Sequence, residues 1–219
     1  YNGLTYFVVP IKSASVEVRP LIKITGEAGF NEVLFENLEI ADAWRLDGVG
    51  KGWQVAMTTL AHERGAGKLA TPTAGGQGIE AKEDKASALE DYSLIKLASD
   101  CSRNGKPAIA DPVICDKVMK MLIRQVGIKQ NRRLRGVPAL ADPQRLALQD
   151  KLLGTEYLQD AASLALEIEG AAATLTQHNP HAPDDGKWPK AYLSSFGGTI
   201  AGGSNEIQKN IISKHVLGL

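Results

Sequence analysis

The hydrophobic pattern of this chain changes period near Gly48, and that change constrains the fold more than any other feature of the sequence. Before Gly48, β-branched and aromatic residues cluster in short runs at Leu4–Val9, Val16–Arg19 and Glu32–Phe35. Such runs, bounded by Pro and Gly, predict three short strands of a sheet. Three strands leave an apolar face uncovered and an edge unpaired, so we expect the sheet to be part of a larger one.

After Gly48 the apolar residues recur at helical spacing, beginning with Trp53, Ala56, Met57 and Leu60. Further helices are predicted at 81–99, from Asp111-Pro112 onward, from about Pro143 to Ile168, and at 205–216, with a polar loop at 176–187. Long helices with short connections pack as antiparallel neighbours. The sequence therefore predicts a mainly α fold, in which a partial β-domain at residues 1–48 precedes an antiparallel four-helix bundle at residues 49–219.

Charge and cysteine content exclude several classes of protein. The 25 basic side chains balance 25 acidic ones without a long single-sign block, which argues against nucleic acid or an anionic membrane as a partner. Cys101 and Cys115 are too few for a disulfide framework, and no apolar run approaches the roughly 20 residues that span a bilayer. The expected compartment is the cytoplasm. Because the chain opens at Tyr1 rather than Met, it stays open whether a preceding segment, such as a targeting segment, has been removed.

Three stretches carry groups suited to a binding site. The loop His178–Asp185 offers imidazoles and carboxylates, but no third anchored ligand is evident, so we expect a polar loop and no metal. The stretch Gly48–Gly52 matches neither dinucleotide nor nucleoside triphosphate spacing and predicts a strand-to-helix linker. In Gly197–Ile207 the glycines permit close backbone approach, Ser204 can cap the next helix, and the helix N-terminus offers free amides to an anion. Taken alone, that stretch is more typical of a tight turn than of a ligand site.

The end of the chain resembles the C-terminal signature of flavin-dependent acyl-CoA dehydrogenases. The residues that carry this resemblance are Gly203–Gln208, Ile211-Ile212 and Leu217–Leu219. Other stretches agree with the family in order and spacing, namely Gly3–Pro10, Phe30–Leu38, and Gly50–Met57 continuing to Glu63-Arg64. The resemblance, which is weaker at residues 111–187, implies the end of the family's middle β-domain followed by its C-terminal helical bundle.

The resemblance implies that a carboxylate removes the α-proton of an acyl-CoA thioester while the β-hydride passes to FAD, giving a trans-2-enoyl-CoA. In many members the base directly precedes the Gly-Ser/Thr pair, where this chain has Gly202, which cannot accept a proton. In isovaleryl-type and long-chain members the base precedes an Arg in the first bundle helix, a place that Glu63 and Arg64 match. The resemblance thus implies Glu63 as catalytic base and Arg64 as a substrate-binding residue. Composition alone favours an exposed Glu-Arg pair.

By the same resemblance, Gly203, Ser204 and Glu206 contact FAD, an electron-transfer acceptor reoxidises the reduced flavin, and the bundle forms a homo-oligomer. The family segments that hold the flavin ring would precede Tyr1. This chain is therefore expected to be a fragment that holds no FAD and is inactive by itself.

Two departures from the family pattern keep other functions open. The family often places an Arg-x-x-Phe-Gly motif at the end of the second bundle helix, where it contacts the FAD of a neighbouring subunit, whereas this chain has Cys101–Gly105, with Arg103 as a possible substitute. Together with Gly202, this departure favours a non-catalytic assembly subunit or interaction module of the same fold. A flavin oxygenase on the same scaffold is a third alternative, which leaves Glu63 without an obvious role.

Overall fold

The computed structural model describes residues 2–63, 93–134 and 143–219, with the backbone alone at residues 61–63, 132, 143–148 and 215–216. The chain forms two compact units, an N-terminal unit at residues 1–76 and a C-terminal unit at residues 77–219. By compactness the first helix falls in the N-terminal unit, whereas the domain boundary drawn at residue 48 from the hydrophobic period stays a prediction.

Short strands and one helix form the described part of the N-terminal unit. Strand β1 (Tyr6–Phe7) pairs antiparallel with β4 (Arg45–Leu46), β2 (Val16–Leu21) pairs antiparallel with β3 (Phe30–Phe35), and α1 (Gly52–Glu63) follows. The sequence predicted three strands of one sheet, whereas the described residues form two separate strand pairs. The first strand is shorter than the predicted run Leu4–Val9. At its N-terminal end, the carbonyl of Leu4 accepts a hydrogen bond from the Gly52 N–H at 2.8 Å.

The glycines before α1 form a backbone junction. A Cβ on Gly52 would lie 2.7 Å from the carbonyl carbon of Thr5, so only glycine lets the helix start this close to β1. The Gly50 N–H donates to the Thr5 hydroxyl at 3.2 Å. The stretch Gly48–Gly52 is thus a linker between β4 and α1, as predicted.

Large apolar side chains stay exposed on the strands and loops of the N-terminal unit, among them Ile22, Ile24, Phe30 and Phe35. The described residues of this unit contribute no buried hydrophobic side chain. These apolar side chains are therefore not covered by the described residues of this unit.

The C-terminal unit is helical. Its elements are α2 (Ser93–Asp100), the hairpin strands β5 (Ser102–Arg103) and β6 (Lys106–Pro107), α3 (Pro112–Arg133), α4 (Pro143–Glu169), α5 (Lys187–Ile200), α6 (Asn205–Ile211) and a π-helical turn (Ile212–Leu217). Helix α4 packs against α2, α3, α5 and α6. The predicted mainly α fold, a helical bundle preceded by a partial β-domain, is confirmed. Within the described ranges, no helix is both long and apolar enough to cross a membrane.

One apolar cluster holds the bundle together. Its buried members are Leu94, Leu97, Ala98, Ala108, Ile114, Val118, Tyr157, Ala161, Leu164, Ala165, Ile168 and Trp188. The fully buried Ala161 and Ala165 let neighbouring helices approach α4 closely, as the sequence indicated. Helix α3 begins as predicted, with Pro112 in its first position and the Asp111 carboxylate accepting from the Val113 N–H at 2.9 Å.

Two elements of this unit escaped the sequence analysis. Helix α5 begins at Lys187, the last residue of the predicted polar loop. Pro189 argues against a helix in the sequence, but a proline in the first helical turn removes no helix hydrogen bond. Its anchor is the fully buried Trp188. The β5–β6 hairpin turns at Asn104 and Gly105, whose φ angles of 53° and 74° are those of the tight turn that Asn-Gly favours. The N-terminal half of the predicted helix 81–99 lies outside the described residues.

Candidate functional site

A glycine turn joins α5 to α6 at residues 201–204. Gly202 and Gly203 have φ angles of 64° and 95°, a left-handed backbone that other residues rarely adopt. Ser204 then caps α6, since its hydroxyl oxygen accepts a hydrogen bond from the Ile207 N–H at 3.4 Å. The cap predicted for Ser204 is confirmed.

The ammonium group of Lys151 holds this turn from α4. It donates to the carbonyl of Gly203 at 2.8 Å, to the carbonyl of Thr199 at 3.2 Å and to Asn205 Oδ1 at 2.7 Å. One cation thereby ties together the end of α5, the glycine turn and the start of α6. Burial lowers the pKa of Lys151, although the nearby carboxylates of Glu206 and Glu156 oppose that shift.

A buried amide fixes the other side of the turn. Gln208 is 2% exposed, and its side-chain nitrogen donates to the carbonyl of Gly202 at 3.0 Å. The neighbouring Asn205 is also buried, and its Oδ1 accepts a second bond from the Thr155 hydroxyl at 3.2 Å. Since both glycine carbonyls are bonded to protein groups, the conformation of the turn is set by the bundle itself.

Glu206 lies in the first turn of α6 and is exposed. Its carboxylate is bonded to its own backbone N–H and to the Ser204 hydroxyl, and these bonds, followed by the positive charges of Lys209 and Lys151, lower the pKa of Glu206. Glu206 therefore carries a full negative charge at neutral pH. A residue with a lowered pKa is suited to hold a hydrogen-bond donor and unsuited to act as a general base.

The backbone of the turn is open on one side at Gly202. A Cβ built on Gly202 would meet nothing within 4 Å, so the backbone there is open on that side. The two glycine carbonyls accept hydrogen bonds from Lys151 and Gln208, and Glu206 presents acceptor oxygens beside the turn. These properties fit the FAD contacts that the resemblance implies for Gly203, Ser204 and Glu206.

Glu63 and Arg64 lie at the edge of what the structure describes. Glu63 is the last residue of α1, and its side chain lies outside the described part of the chain. Arg64 lies wholly outside the described residues. Their roles as base and substrate-binding residue stay predictions.

An acidic cleft occupies the end of the bundle where the family's Arg-x-x-Phe-Gly motif would lie. It is lined by residues of α2 and α4, by the segment that follows α2 and by the 3₁₀ turn at Pro183–Gly186, and includes Asp100, Cys101, Glu169 and Asp184. Burial, followed by the charge of Asp184, raises the pKa of Glu169 to about 7. Burial also raises the pKa of the Cys101 thiol, which keeps it protonated and unreactive.

This cleft does not fit the pyrophosphate of FAD, because its carboxylates repel an anion. Arg103, the candidate substitute for the family's arginine, points its Nε to the Asp111 carboxylate at 3.3 Å. The family's aromatic position is taken by Asn104 in the hairpin turn. Cys101 and Asn104 thus stand at the two positions where the resemblance implies Arg and Phe.

The loop His178–Asp185 closes on itself. The His178 N–H donates to the Asp185 carboxylate at 2.9 Å, and the His181 N–H donates to Asn179 Oδ1 at 3.0 Å. Within the described parts of the chain, no three His, Cys, Asp or Glu side chains gather in a group able to hold a metal ion. Polar groups of this loop form hydrogen bonds within the loop itself.

The sequence analysis missed Lys151, Gln208 and Glu169. Each lies on a helix where its residue type is usually exposed, so nothing in the local pattern marks Gln208 and Glu169 as buried or Lys151 as partly buried. The partners of Lys151 are 48 to 54 residues further along the chain, which local spacing cannot reveal.

A known family model matches most of the C-terminal unit. The family model described as the acyl-CoA dehydrogenase C-terminal domain matches residues 86–217. The acyl-CoA dehydrogenase IpdE1 of Mycolicibacterium smegmatis is 34% identical over 219 residues, which is 100% of this chain and 50% of that protein. The chain spans about half the length of most of the curated relatives it matches.

Solved structures share the fold at low sequence identity. The ChsE4-ChsE5 complex from Mycobacterium tuberculosis superposes with a TM-score of 0.70 at 21% identity, covering 100% of this chain and 54% of that one. The structure of PigA with FAD and proline gives a TM-score of 0.65 at 18% identity, covering 98% of this chain and 52% of that one.

Proposed function

The chain belongs to the acyl-CoA dehydrogenase family, and we propose that the protein of which it is part catalyses FAD-dependent α,β-dehydrogenation of an acyl-CoA thioester to the trans-2-enoyl-CoA. The observation that carries this proposal is the family match over residues 86–217, which includes the glycine turn and its Ser204 cap. Because the chain spans about half of its curated relatives, the activity is proposed for the longer protein.

The proposed base is Glu63. Its carboxylate takes the α-proton of the thioester, while the β-hydrogen leaves with two electrons as a hydride. When bound, FAD supplies the acceptor for that hydride. The other position at which the family carries its base is Gly202 here, and glycine has no group to accept a proton. For Glu63 to work near neutral pH, burial beside the thioester must raise its pKa, and Arg64 is proposed to bind the substrate.

The proposed flavin contacts are Gly203, Ser204 and Glu206. Two observations favour them: Lys151 and Gln208 hold the turn by its carbonyls, and a Cβ built on the left-handed Gly202 would meet nothing within 4 Å. After each turnover an electron-transfer acceptor is proposed to reoxidise the flavin.

The experiment that tests the base compares Glu63→Gln with Glu206→Gln in the complete protein. The Glu63→Gln variant keeps size and hydrogen bonding but loses the proton acceptor, so anaerobic flavin reduction by an acyl-CoA should slow by about 10²–10⁴-fold. Glu206→Gln should act mainly on FAD affinity. Flavin reduction at the wild-type rate in Glu63→Gln would remove Glu63 as the base.

A non-catalytic assembly subunit is the second candidate function, and the acidic cleft favours it. A corner that carries Glu169, Asp184 and Asp100 does not attract the pyrophosphate of a neighbour's FAD. Purified complete protein without flavin absorbance, or with flavin that no acyl-CoA bleaches anaerobically, would support this candidate over the dehydrogenase.

The bundle is proposed to assemble with further copies as a homo-oligomer. Apolar residues remain exposed along α3, among them Val113, Ile123 and Val126, and such surfaces usually lie in interfaces. The structural likeness to the ChsE4-ChsE5 complex adds the alternative of a heteromeric assembly. Light scattering that reports a stable monomer at working concentration would contradict both.

A further inference from the structure

The acidic cleft of the C-terminal unit has a volume of about 390 Å³ and walls of two kinds. Leu97 and Pro183 supply apolar surface, while Glu169, Asp100 and Asp184 supply carboxylates. The volume is large enough for a side-chain-sized group and lies in the range of small-molecule sites, about 300–1,000 Å³.

Glu169 is the unusual member of this cleft. The residue is 8% exposed, and neither oxygen of its carboxylate has a hydrogen-bond partner among the described residues. A buried carboxylate without donors loses its hydration and gains nothing in return. Buried polar groups in folded proteins are nearly always bonded, so these two oxygens call for donors that the described chain does not supply.

The charged and titratable neighbours of Glu169 supply no positive charge or donor to its carboxylate among the described residues. Asp184, on the 3₁₀ turn, has a left-handed backbone with φ of 46° and adds a second negative charge. Cys101, which follows α2, faces the same cleft as a neutral thiol. The nearby cation Lys96, on α2, forms its ion pair with Asp100 and not with Glu169.

We propose that this cleft binds an organic cation with several N–H donors, a guanidinium or primary ammonium group, which Glu169 accepts at the base of the cleft and Asp184 at its rim. A guanidinium donates two parallel bonds to one carboxylate, which satisfies both orphaned oxygens at once. The aliphatic part of the ligand lies against Leu97 and Pro183. A divalent metal fits less well, since it needs about six oxygen ligands in a close shell and the described residues form no such group.

The binding is pH dependent, because only the ionised Glu169 carboxylate accepts a guanidinium. With the pKa of Glu169 near 7, the ionised fraction rises about 30-fold between pH 5.5 and pH 8.5. The affinity for the cation rises by the same factor, and ligand binding in turn lowers the pKa of Glu169.

The test is calorimetric titration of the 219-residue chain with N-acetyl-arginine amide, which carries one positive charge, at pH 8.5 and pH 5.5. The citrulline analogue, isosteric and neutral, serves as the ligand control. Saturable binding of the arginine probe is expected at pH 8.5, with at least about tenfold weaker binding at pH 5.5. Equal binding of the citrulline analogue, equal binding at both pH values, or no saturable binding at pH 8.5 to the chain diluted below its assembly concentration would overturn the proposal.

Matched variants locate the site. Glu169→Gln should weaken binding by about 10- to 100-fold, because one charge-assisted bidentate contact is lost. Glu167→Gln, on the same helix with an exposed carboxylate paired to Lys117, should leave the affinity unchanged. Asp184→Asn keeps a residue that tolerates the left-handed backbone and should cause a smaller loss. Equal affinity of all variants with the wild type would refute the assignment to Glu169.

The same titration distinguishes the two sources of the cation. Binding that persists when the chain is concentrated into its assembled state indicates a free small-molecule cation. Binding that is lost on assembly indicates that an arginine or lysine side chain of a partner chain fills the cleft. The proposal is independent of the flavin chemistry proposed above, so the failure of either leaves the other standing.

Discussion

Replacing Lys151 by Met tests whether one cation sets the glycine turn before α6. Methionine keeps the length and apolar character of the lysine stem but removes the ammonium group. Its donations to Gly203, Thr199 and Asn205 are lost, and only Asn205 retains another described donor, the Thr155 hydroxyl. The carbonyls of Gly203 and Thr199 then lose the partner they have in the structure.

The magnitude follows from these three bonds. A hydrogen bond to a charged group contributes about 1.5–3 kcal/mol to stability, which sets an upper limit of about 4.5–9 kcal/mol for three. The lost hydration of the ammonium, visible in its lowered pKa, offsets part of that gain. We expect a net loss of about 2–4 kcal/mol in the free energy of unfolding, or about 4–16 °C in Tm for a protein of this size.

The assay is urea unfolding of wild type, Lys151→Met and a control, Lys209→Met, combined with hydrogen exchange. Lys209 forms a more exposed ion pair with Glu156 at 3.3 Å, and its loss should cost under about 1 kcal/mol. Amide exchange should accelerate at residues 201–208 in Lys151→Met alone. Equal stability of the two variants, with unchanged exchange at the turn, would refute the claim that Lys151 holds it.

Three further outcomes follow from single contacts. The pKa of Glu169 is raised to about 7 from 4.5 in the unfolded chain, so the folded chain binds more protons and the contribution of Glu169 to stability is lost as pH rises from 4.5 to 7. Relative to Glu169→Gln, the wild type should lose about 3 kcal/mol of unfolding free energy between pH 4.5 and pH 8, measured by urea unfolding. Gly52→Ala should cost about 1–3 kcal/mol, because the added methyl meets the backbone of Thr5 at 2.7 Å, and thermal unfolding unchanged from wild type would contradict that clash. Ser204→Ala should cost about 0.5–2 kcal/mol through the lost cap and should raise the pKa of Glu206, which an NMR titration of its carboxyl carbon detects.

The helices that the sequence predicted correctly carry their own local signals. Asp111-Pro112 and Pro143 mark the starts of α3 and α4 because a capping side chain and a fixed φ act within one turn. Helix α5 has no such signal, since a left-handed Gly186 precedes it and its hydrophobic anchor is one tryptophan. Local rules therefore predict elements whose ends are set locally and miss those fixed by packing.

The candidate site also contains residues whose roles local rules predict and residues whose roles they miss. The Ser204 cap could be predicted, because its bond spans three residues. The roles of Lys151 and Glu169 could not, because burial of a charged side chain depends on which distant segments fold over it. Residues 199–205 fold over Lys151, and the turn at residues 183–186 folds over Glu169. Both segments come after the end of α4 in the chain.

Helix α4 carries a cation, Lys151, at the glycine turn and a carboxylate, Glu169, at the acidic cleft. Lys151 and Glu169 are 18 residues apart on one helix, which places them about 27 Å apart along its axis. Because charges at that separation are screened at physiological salt, each site should respond to its own variant alone. If the glycine turn contacts FAD, Lys151→Met in the complete protein should lower flavin retention on gel filtration, whereas Glu169→Gln should leave it unchanged. Loss of flavin in Glu169→Gln would show that the acidic cleft takes part in cofactor binding, contrary to its charge.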